Sequence, residues 1–233
     1  MKICVIGVPG IPEGKHNLKD PRMDKAHELV DAKKKTYAQV DVVGETGAVD
    51  ADVILVSRDR LLDLLLKDME FIETRLSRDP AAAEQEVLLK LQAHLESEQA
   101  VSTAGLTEAD WQALTGHGFL TSKPVILAEL EDLDDPEALL VRAFKGSGYI
   151  CFLTVGGPEN RAWPIRQGST AAEAAGSIHT DLQKGFIRAE VIGFDDLLAA
   201  GGEKEAKHAG KQRLEMKPYV VQDYDVMNIR ANK

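Results

Sequence analysis

Four short apolar, β-branched runs set the terms on which this chain can fold: Lys2–Gly7, Tyr37–Val43, Ala51–Ser57 and Lys123–Leu130. Each has the length of a strand, and polar loops or helical stretches separate them. That spacing predicts crossovers and a parallel sheet, an α/β fold. The first run stops at Gly7-Val8-Pro9-Gly10, where glycine and proline end a buried strand. Asp20 and Pro21 then read as the N-cap and first turn of a helix reaching about Lys34.

Between the third and fourth runs lies the clearest helical pattern. Leu61, Leu65, Met69, Ile72 and Leu76 recur on one face of a helix over Arg60–Ser77. Val87, Leu88, Leu91 and Leu95 make a matching stripe on a partner that starts at Pro80 and reaches about Glu98. The link at Arg78-Asp79-Pro80 makes the pair an antiparallel hairpin over about 60–98. Thr107–Leu114 reads as a further helix, with Thr107 and Asp110 spaced as a capping box. The acidic turn Glu131–Pro136, or the Lys145–Gly148 segment, is where this pattern ends, so the predicted domains are 1–144 and 145–233.

Past that point the order changes. Tyr149–Val155 and Arg161–Ile165 are strand-like and joined by a loop of Gly156-Gly157-Pro158-Glu159-Asn160, a hairpin pattern. An Ala-rich helix follows over Thr170–Lys184, then an alternating strand at Phe186–Ile192. Glu203–Arg213 reads as helical, and Tyr219–Val221 and Val226–Ile229 as closing strands. Two strands, a helix across them and further strands is the order of a ubiquitin-like β-grasp.

Charge divides the chain at the same place. Residues 150–233 carry 11 basic and 11 acidic side chains, whereas residues 1–149 carry 17 and 27, which accounts for the net charge of −10. An acidic front half repels phosphate backbones, so a nucleic acid would have to meet a local basic patch in the C-terminal part. No apolar run is long enough to span a membrane. Cys4 and Cys151 sit alone inside strand-like runs, which fits a reducing cytoplasm. His16, His27, His94, His117 and His208 show no metal-ligand spacing among themselves or with the cysteines.

The C-terminal run from Arg161 to Leu198, with Ile178-His179-Thr180-Asp181 followed by Lys184-Gly185-Phe186-Ile187-Arg188, resembles the TGS-like C-terminal domain of the YchF (Obg-like ATPase) family. The front half resembles the nucleotide domain of that family with pieces missing. The family opens with a P-loop, G-x-x-x-x-G-K-[ST], whose backbone N–H groups face phosphates and whose hydroxyl holds Mg²⁺. Here Gly10-Ile11-Pro12-Glu13-Gly14-Lys15-His16 stands in its place, one residue short, with His16 at the hydroxyl position and Glu13 inside the cradle. Asp41-Val42-Val43-Gly44 is similar to the D-x-x-G motif, but the glycine-rich switch after it is absent. Asp20-Pro21-Arg22-Met23-Asp24 resembles the stretch that follows the family's first switch, which is itself gone. Glu129-Leu130-Glu131-Asp132 occupies the place of the base-recognising N-x-x-E. Lys67-Asp68-Met69-Glu70 is similar to a segment of the family's coiled-coil insertion.

The resemblance implies a trimmed P-loop-like parallel sheet with a helical hairpin, then a TGS-like β-grasp. It implies ATP or GTP with Mg²⁺ as the ligand of a working front domain, and a ribosome, RNA or protein as the partner of the back one. Gly10, Gly14, Lys15, His16, Asp41 and Gly44 would be the nucleotide-site residues. The plainer alternative for them is a solvated connection and a strand-end carboxylate. Arg161, Trp163, Arg166, His179, Lys184, Arg188, Lys211 and Arg213 would form the partner face, with Phe186 and Tyr219 as interleaved aromatics; the alternative is a salt-bridged surface over an aromatic core. Adjacent His179, Thr180 and Asp181 cannot form a catalytic line, because neighbours on a helix end point apart. No catalytic residue and no metal ligand is assigned. The expected function is a non-hydrolysing interaction protein. A weak nucleotide-binding protein or ATPase using the shortened loop, and a homodimer packing through the hairpin, are the alternatives.

Overall fold

The computed structural model describes residues 1–232. In chain order its elements are β1 (Lys2–Ile6), β2 (Gly14–Asn17), α1 (Pro21–Leu29), β3 (Lys34–Thr36), β4 (Gln39–Val43), β5 (Val53–Ser57), α2 (Leu61–Leu76), α3 (Ala82–Glu96), α4 (Glu108–Ala113), β6 (Val125–Ala128) and α5 (Pro136–Gly146). Then follow β7 (Tyr149–Thr154), β8 (Glu159–Arg166), α6 (Ala171–Ile178), α7 (Thr180–Lys184), β9 (Phe186–Ile192), α8 (Phe194–Ala200), α9 (Glu203–His208), β10 (Arg213–Glu215) and β11 (Val226–Ala231). The chain divides into two compact units: Met1–Lys15 with Asp41–Ser147, and His16–Val40 with Gly148 onward.

The front unit is built on the sheet β2-β4-β1-β5-β6, in which β4, β1, β5 and β6 run parallel. All five residues of β5 are buried, as an inner strand with both faces covered requires. β2 is a fifth, edge strand beyond the four that the sequence predicts. The hairpin forms as its periodicity requires: Leu65 and Ile72 of α2 pack with Val87, Leu88, Leu91 and Leu95 of α3 in one apolar cluster. A polar anchor closes it. Asp68 is 2% exposed and accepts hydrogen bonds from Leu120 N (2.7 Å), Thr121 N (2.8 Å) and Thr121 Oγ1 (2.6 Å). Glu84 of α3 is buried between Arg75 Nε (2.5 Å) and His117 Nε2 (2.9 Å). Thr107 and Asp110 form the expected capping box on α4. The acidic turn before Pro136 is a helix start: Asp135 accepts from Ala138 N, and Pro136 opens α5, a helix not foreseen.

The C-terminal unit carries the sheet β10-β9-β11-β7-β8-β3. β7 and β8 are an antiparallel hairpin, β11 runs parallel to β7 at the centre, and β9 and β10 continue antiparallel, the β-grasp order. Ile150, Phe152, Ile165, Ala189, Val191 and Met227 form a core with Ala171, Ala174 and Ala175 of α6; alanine lets the helix lie close to the sheet.

Several elements differ from expectation. Residues 16–40, read with the front domain, group with the C-terminal unit. The helix predicted to reach Lys34 ends at Leu29, and Lys34–Thr36 becomes β3, added in parallel to β8. Asp20 and Arg22 explain this placement. Asp20 caps α1, while the Arg22 guanidinium bonds Asp20 (2.7 Å) and Asp223 (2.6 Å) and lies 3.7 Å from the centre of the Tyr224 ring. Fully buried Asn160 of β8 donates to Val30 O (2.6 Å) at the end of α1. The helix expected over Thr170–Lys184 breaks at His179, whose extended backbone lets its ring accept from Asp181 N and start α7. The Glu203–Arg213 helix stops at His208, the Tyr219–Val221 strand reduces to a single bridge between Thr170 and Val220, and α8 is additional.

Candidate functional site

The glycine loop after β1 does not close into a phosphate cradle. Gly10 and Gly14 take left-handed backbone (φ +80° and +126°), and a Cβ on Gly10 would lie 3.1 Å from Pro136 Cγ. A cradle needs successive N–H groups converging at a helix N-terminus. Here Gly14, Lys15 and His16 are instead consecutive residues of the edge strand β2, whose N–H groups alternate in direction, and no helix begins before Pro21. Lys15 is exposed on this strand.

The remaining front residues are no better placed for metal-assisted chemistry. Asp41 pairs with Lys2 at the start of β1, so four residues, roughly 13 Å at strand rise, separate its level from the end of that strand. Gly44, just past β4, is covered by Glu13: a Cβ there would meet Glu13 Oε1 at 2.3 Å. Cys4 Sγ lies 3.4 Å from Gly44 O. Burial first, then the carboxylates of Glu45 and Glu13 against the opposing pull of Lys123 and Lys67, push its thiol up to about 11. Glu45 is held by Lys67 and lies 3.7 Å from Arg60. Glu129 and Asp132, in the base-recognition position, form a capping box and pair with Arg58 and Arg142. No amide is left there to read a base. No cluster of metal-ligating side chains occurs among the described residues.

In the C-terminal unit the predicted cations do not share one face. Arg161 lies 4.1 Å over Trp163, which stands opposite Phe152 on the α6 side of the sheet. Arg166 covers Tyr149 at 4.8 Å. Arg188 alternates with core residue Ala189, so it is on the opposite side. Arg213 is on β10, four strand steps from β8, or roughly 19 Å; it pairs with Glu215 and donates to Tyr219 Oη. Lys211 pairs with Asp196, and His179 caps α7. Lys184 closes α7 and, like Arg188, has no ion pair with a described residue. Phe186 belongs to the core, and half-buried Tyr219 packs against it.

The structure adds residues that the sequence reading missed. Pairing of β3 with β8 brings Thr36 opposite Arg161 and Lys34 opposite Glu159, its ion-pair partner at 3.1 Å. The run Lys33-Lys34-Lys35 was visible as a charge cluster, but nothing local indicated the strand it would join. No helix of the described residues is long and apolar enough to cross a membrane.

Residues 149–232 match the family model described as YchF-GTPase_C, protein of unknown function (DUF933). The chain is 34% identical to the ribosome-binding ATPase YchF of Bacillus subtilis over an alignment covering 73% of this chain and 64% of the relative. It is 31% identical to the Haemophilus influenzae protein of the same name, covering 85% of this chain and 71% of that one. The chain therefore spans about two thirds of the relatives it resembles. The structure of the Schizosaccharomyces pombe YchF GTPase is similar in fold, with a TM-score of 0.76 at 19% identity over 99% of this chain and 97% of that one.

Proposed function

Since this chain belongs to the YchF (Obg-like ATPase) family, we propose that it is a non-hydrolysing member that binds the ribosome, in the cytoplasm, through its β-grasp unit. The observation that carries this reading is the edge strand at Gly14–Asn17: it places Lys15 on an extended backbone where phosphate binding needs a helix start. Phosphoryl transfer needs metal, positioned water and phosphate cradle together. Asp41, level with the first residue of β1 and not with its carboxyl end, and Glu13 against Gly44 remove the means for the first and the last.

For the contact itself, the edge formed by β3 and β8 is favoured. Lys33 and Lys34 are exposed there, and Arg161 stands opposite Thr36 with its guanidinium plane over Trp163. Exposed cations beside an arginine plane suit an RNA backbone and an unstacked base.

Two measurements test this. Calorimetric titration of ATP and of GTP, each with Mg²⁺, is expected to give no heat with the folded protein; micromolar binding lost in Lys15→Ala would return the ATPase reading to first place. Co-sedimentation with ribosomes at moderate salt is expected to pellet the protein, and Arg161→Glu to weaken that severalfold. A protein that stays in the supernatant would remove the ribosome.

A further inference from the structure

The helical hairpin has two long sides, and the front unit covers one of them. On that side Asp68 and Phe71 of α2 meet residues 117–121, through hydrogen bonds from Leu120 and Thr121 and edge-on ring contacts with His117 and Phe119. On α3, Glu84 bonds His117, and Lys90 lies 3.6 Å from Asp110 of α4. The opposite side stays open to solvent. Leu62 and Leu66, one turn apart on α2, are 50% and 56% exposed, and Leu89 of α3 is 51% exposed. The Arg75–Glu84 pair fixes the level of the two antiparallel helices, which puts Leu89 across from Glu70, one turn beyond Leu66. The three leucines therefore run along roughly 12 Å of the hairpin.

Charge of one sign surrounds them. Helical spacing sets Glu70 and Glu73 on the Leu66 side of α2, and Glu96 on the Leu89 side of α3. All three acids are exposed, and none has an ion pair with a described residue. The lysines and the arginine of the two helices are engaged elsewhere: Lys67 with Glu45, Arg75 with Glu84 and Lys90 with Asp110. A single exposed leucine is ordinary. Three in one line, rimmed by uncompensated carboxylates, make a contact surface.

We propose that this side of the hairpin docks a basic amphipathic helix of a protein partner. The leucines take the apolar stripe of that helix, and Glu70, Glu73 and Glu96 pair with the lysine or arginine side chains that flank it. The occupant follows from the charge. Nucleic acid and anionic lipid are repelled by carboxylates that no cation on this side offsets. A second copy presenting the same side brings the same three acids, so the two faces repel each other. An uncharged apolar helix would cover the leucines but strip water from carboxylates it cannot pair. A basic helix does both: it buries the leucines and neutralises the acids. This proposal rests on the front unit alone and is independent of nucleotide binding and of the β3–β8 surface.

The probe is a capped leucine–lysine peptide of about four helical turns, with its leucines on one face. It is titrated into the isotope-labelled full chain and followed by amide shifts, and its helicity by difference circular dichroism. Saturable shifts confined to α2 and α3, with a gain in peptide helicity, are expected. A peptide of the same composition with its leucines scrambled around the helix should bind about tenfold more weakly, and Leu66→Gln should weaken the parent peptide about as much. Glu70→Lys combined with Glu73→Lys should weaken it by a similar factor and admit a leucine–glutamate peptide in its place. These positions are exposed, so the variants keep the native amide spectrum, which is recorded first; Leu62→Gln replaces Leu66→Gln if that spectrum changes. The proposal is overturned by a scrambled peptide that binds as well as the parent, by shifts that fall elsewhere, by undiminished binding to the charge-reversed variant, or by no binding. Concentration-dependent dimerisation through Leu62 and Leu66, or a uridine oligonucleotide that displaces the peptide from the hairpin, overturns it as well.

Discussion

The front and C-terminal units are both sheets with helices packed against them, and they place their charged side chains differently. Near the carboxyl ends of the front sheet, charges are satisfied internally: Glu45 by Lys67, Glu129 by Arg58, Asp132 by Arg142. The helical layer beyond is fastened by buried acids, Asp68 and Glu84, whose partners come from sequence-distant turns. In the C-terminal unit the core is mostly aliphatic and alanine-rich, while Lys33, Lys184, Arg188 and Lys217 remain without ion pairs among the described residues. A surface whose charges pair internally has little left for a ligand. One with exposed, unpaired cations stays open to an anionic partner.

The largest effect that sharpens this contrast is expected at Asp68. Asp68→Ala leaves two backbone N–H groups and the Thr121 hydroxyl without their acceptor in a buried site, at about 3–5 kcal/mol. Each unit holds one of the two tryptophans, Trp111 on α4 and Trp163 on β8, so Trp111→Phe and Trp163→Phe backgrounds report each unit separately. The loss is expected in the Trp111 signal of a urea titration. Asp68→Asn, which keeps one acceptor oxygen, should cost less. Equal costs for both variants would mean that hydrogen bonding at Asp68 is not the fastening.

In the C-terminal unit a smaller effect is expected from Arg22→Ala, about 2 kcal/mol in the Trp163 signal. The variant loses the bonds to Asp20 and Asp223 and the stacking on Tyr224, but Arg22 is partly solvated and water replaces some of that. Arg22→Lys should recover little, because a point charge cannot bond Asp20 and Asp223 in a fork while stacking on a ring. Full rescue by lysine would reduce the clasp to simple charge.

What the sequence made legible follows from range. β5 was readable because an inner parallel strand is a continuous apolar run, and the hairpin because its stripe repeats over two helices. The capping box at Thr107 and Asp110 is a local signal and was read correctly. α5 is hard to see because a proline after an acidic turn looks like a breaker, whereas Asp135 as N-cap makes Pro136 a first-turn residue. β3 was invisible for a different reason. Lys34-Lys35-Thr36 has no strand composition, and its partner Glu159–Arg161 is more than a hundred residues away. The nucleotide-site residues could be listed from the motif, yet whether Gly14-Lys15-His16 opens a helix or extends a sheet depends on β4, which the motif does not contain. The partner-face residues could be listed from the sequence, but not their distribution over the sheet, where strand alternation and four strand steps separate Arg161 from Arg188 and Arg213.

The smallest expected effect is a difference in the sign of pH dependence, and it tests the comparison most directly. Glu84 in the front unit is hydrogen-bonded by Arg75 and then His117, which lower its carboxyl from 4.5 to about 2. A depressed carboxyl contributes stability that is complete above the unfolded value and lost as pH falls through the folded one. The Trp111 midpoint should therefore be flat above about pH 5 and decline between 4.5 and 2, and Glu84→Gln should flatten that decline. Asp225 in the C-terminal unit behaves in reverse. Burial raises its carboxyl above 3.8 and outweighs the hydrogen bonds from Tyr219 and Gln222. The folded state then binds the proton more readily than the unfolded chain, so acidification through that range favours folding at this residue. Asp225→Asn should make the Trp163 midpoint fall more steeply as pH is lowered, because a group that opposes acid unfolding has been removed. If both variants moved their midpoints in the same sense, the buried acids of the two units would be equivalent, and the contrast between a front unit fastened by charge and a C-terminal unit held by its apolar core would fail.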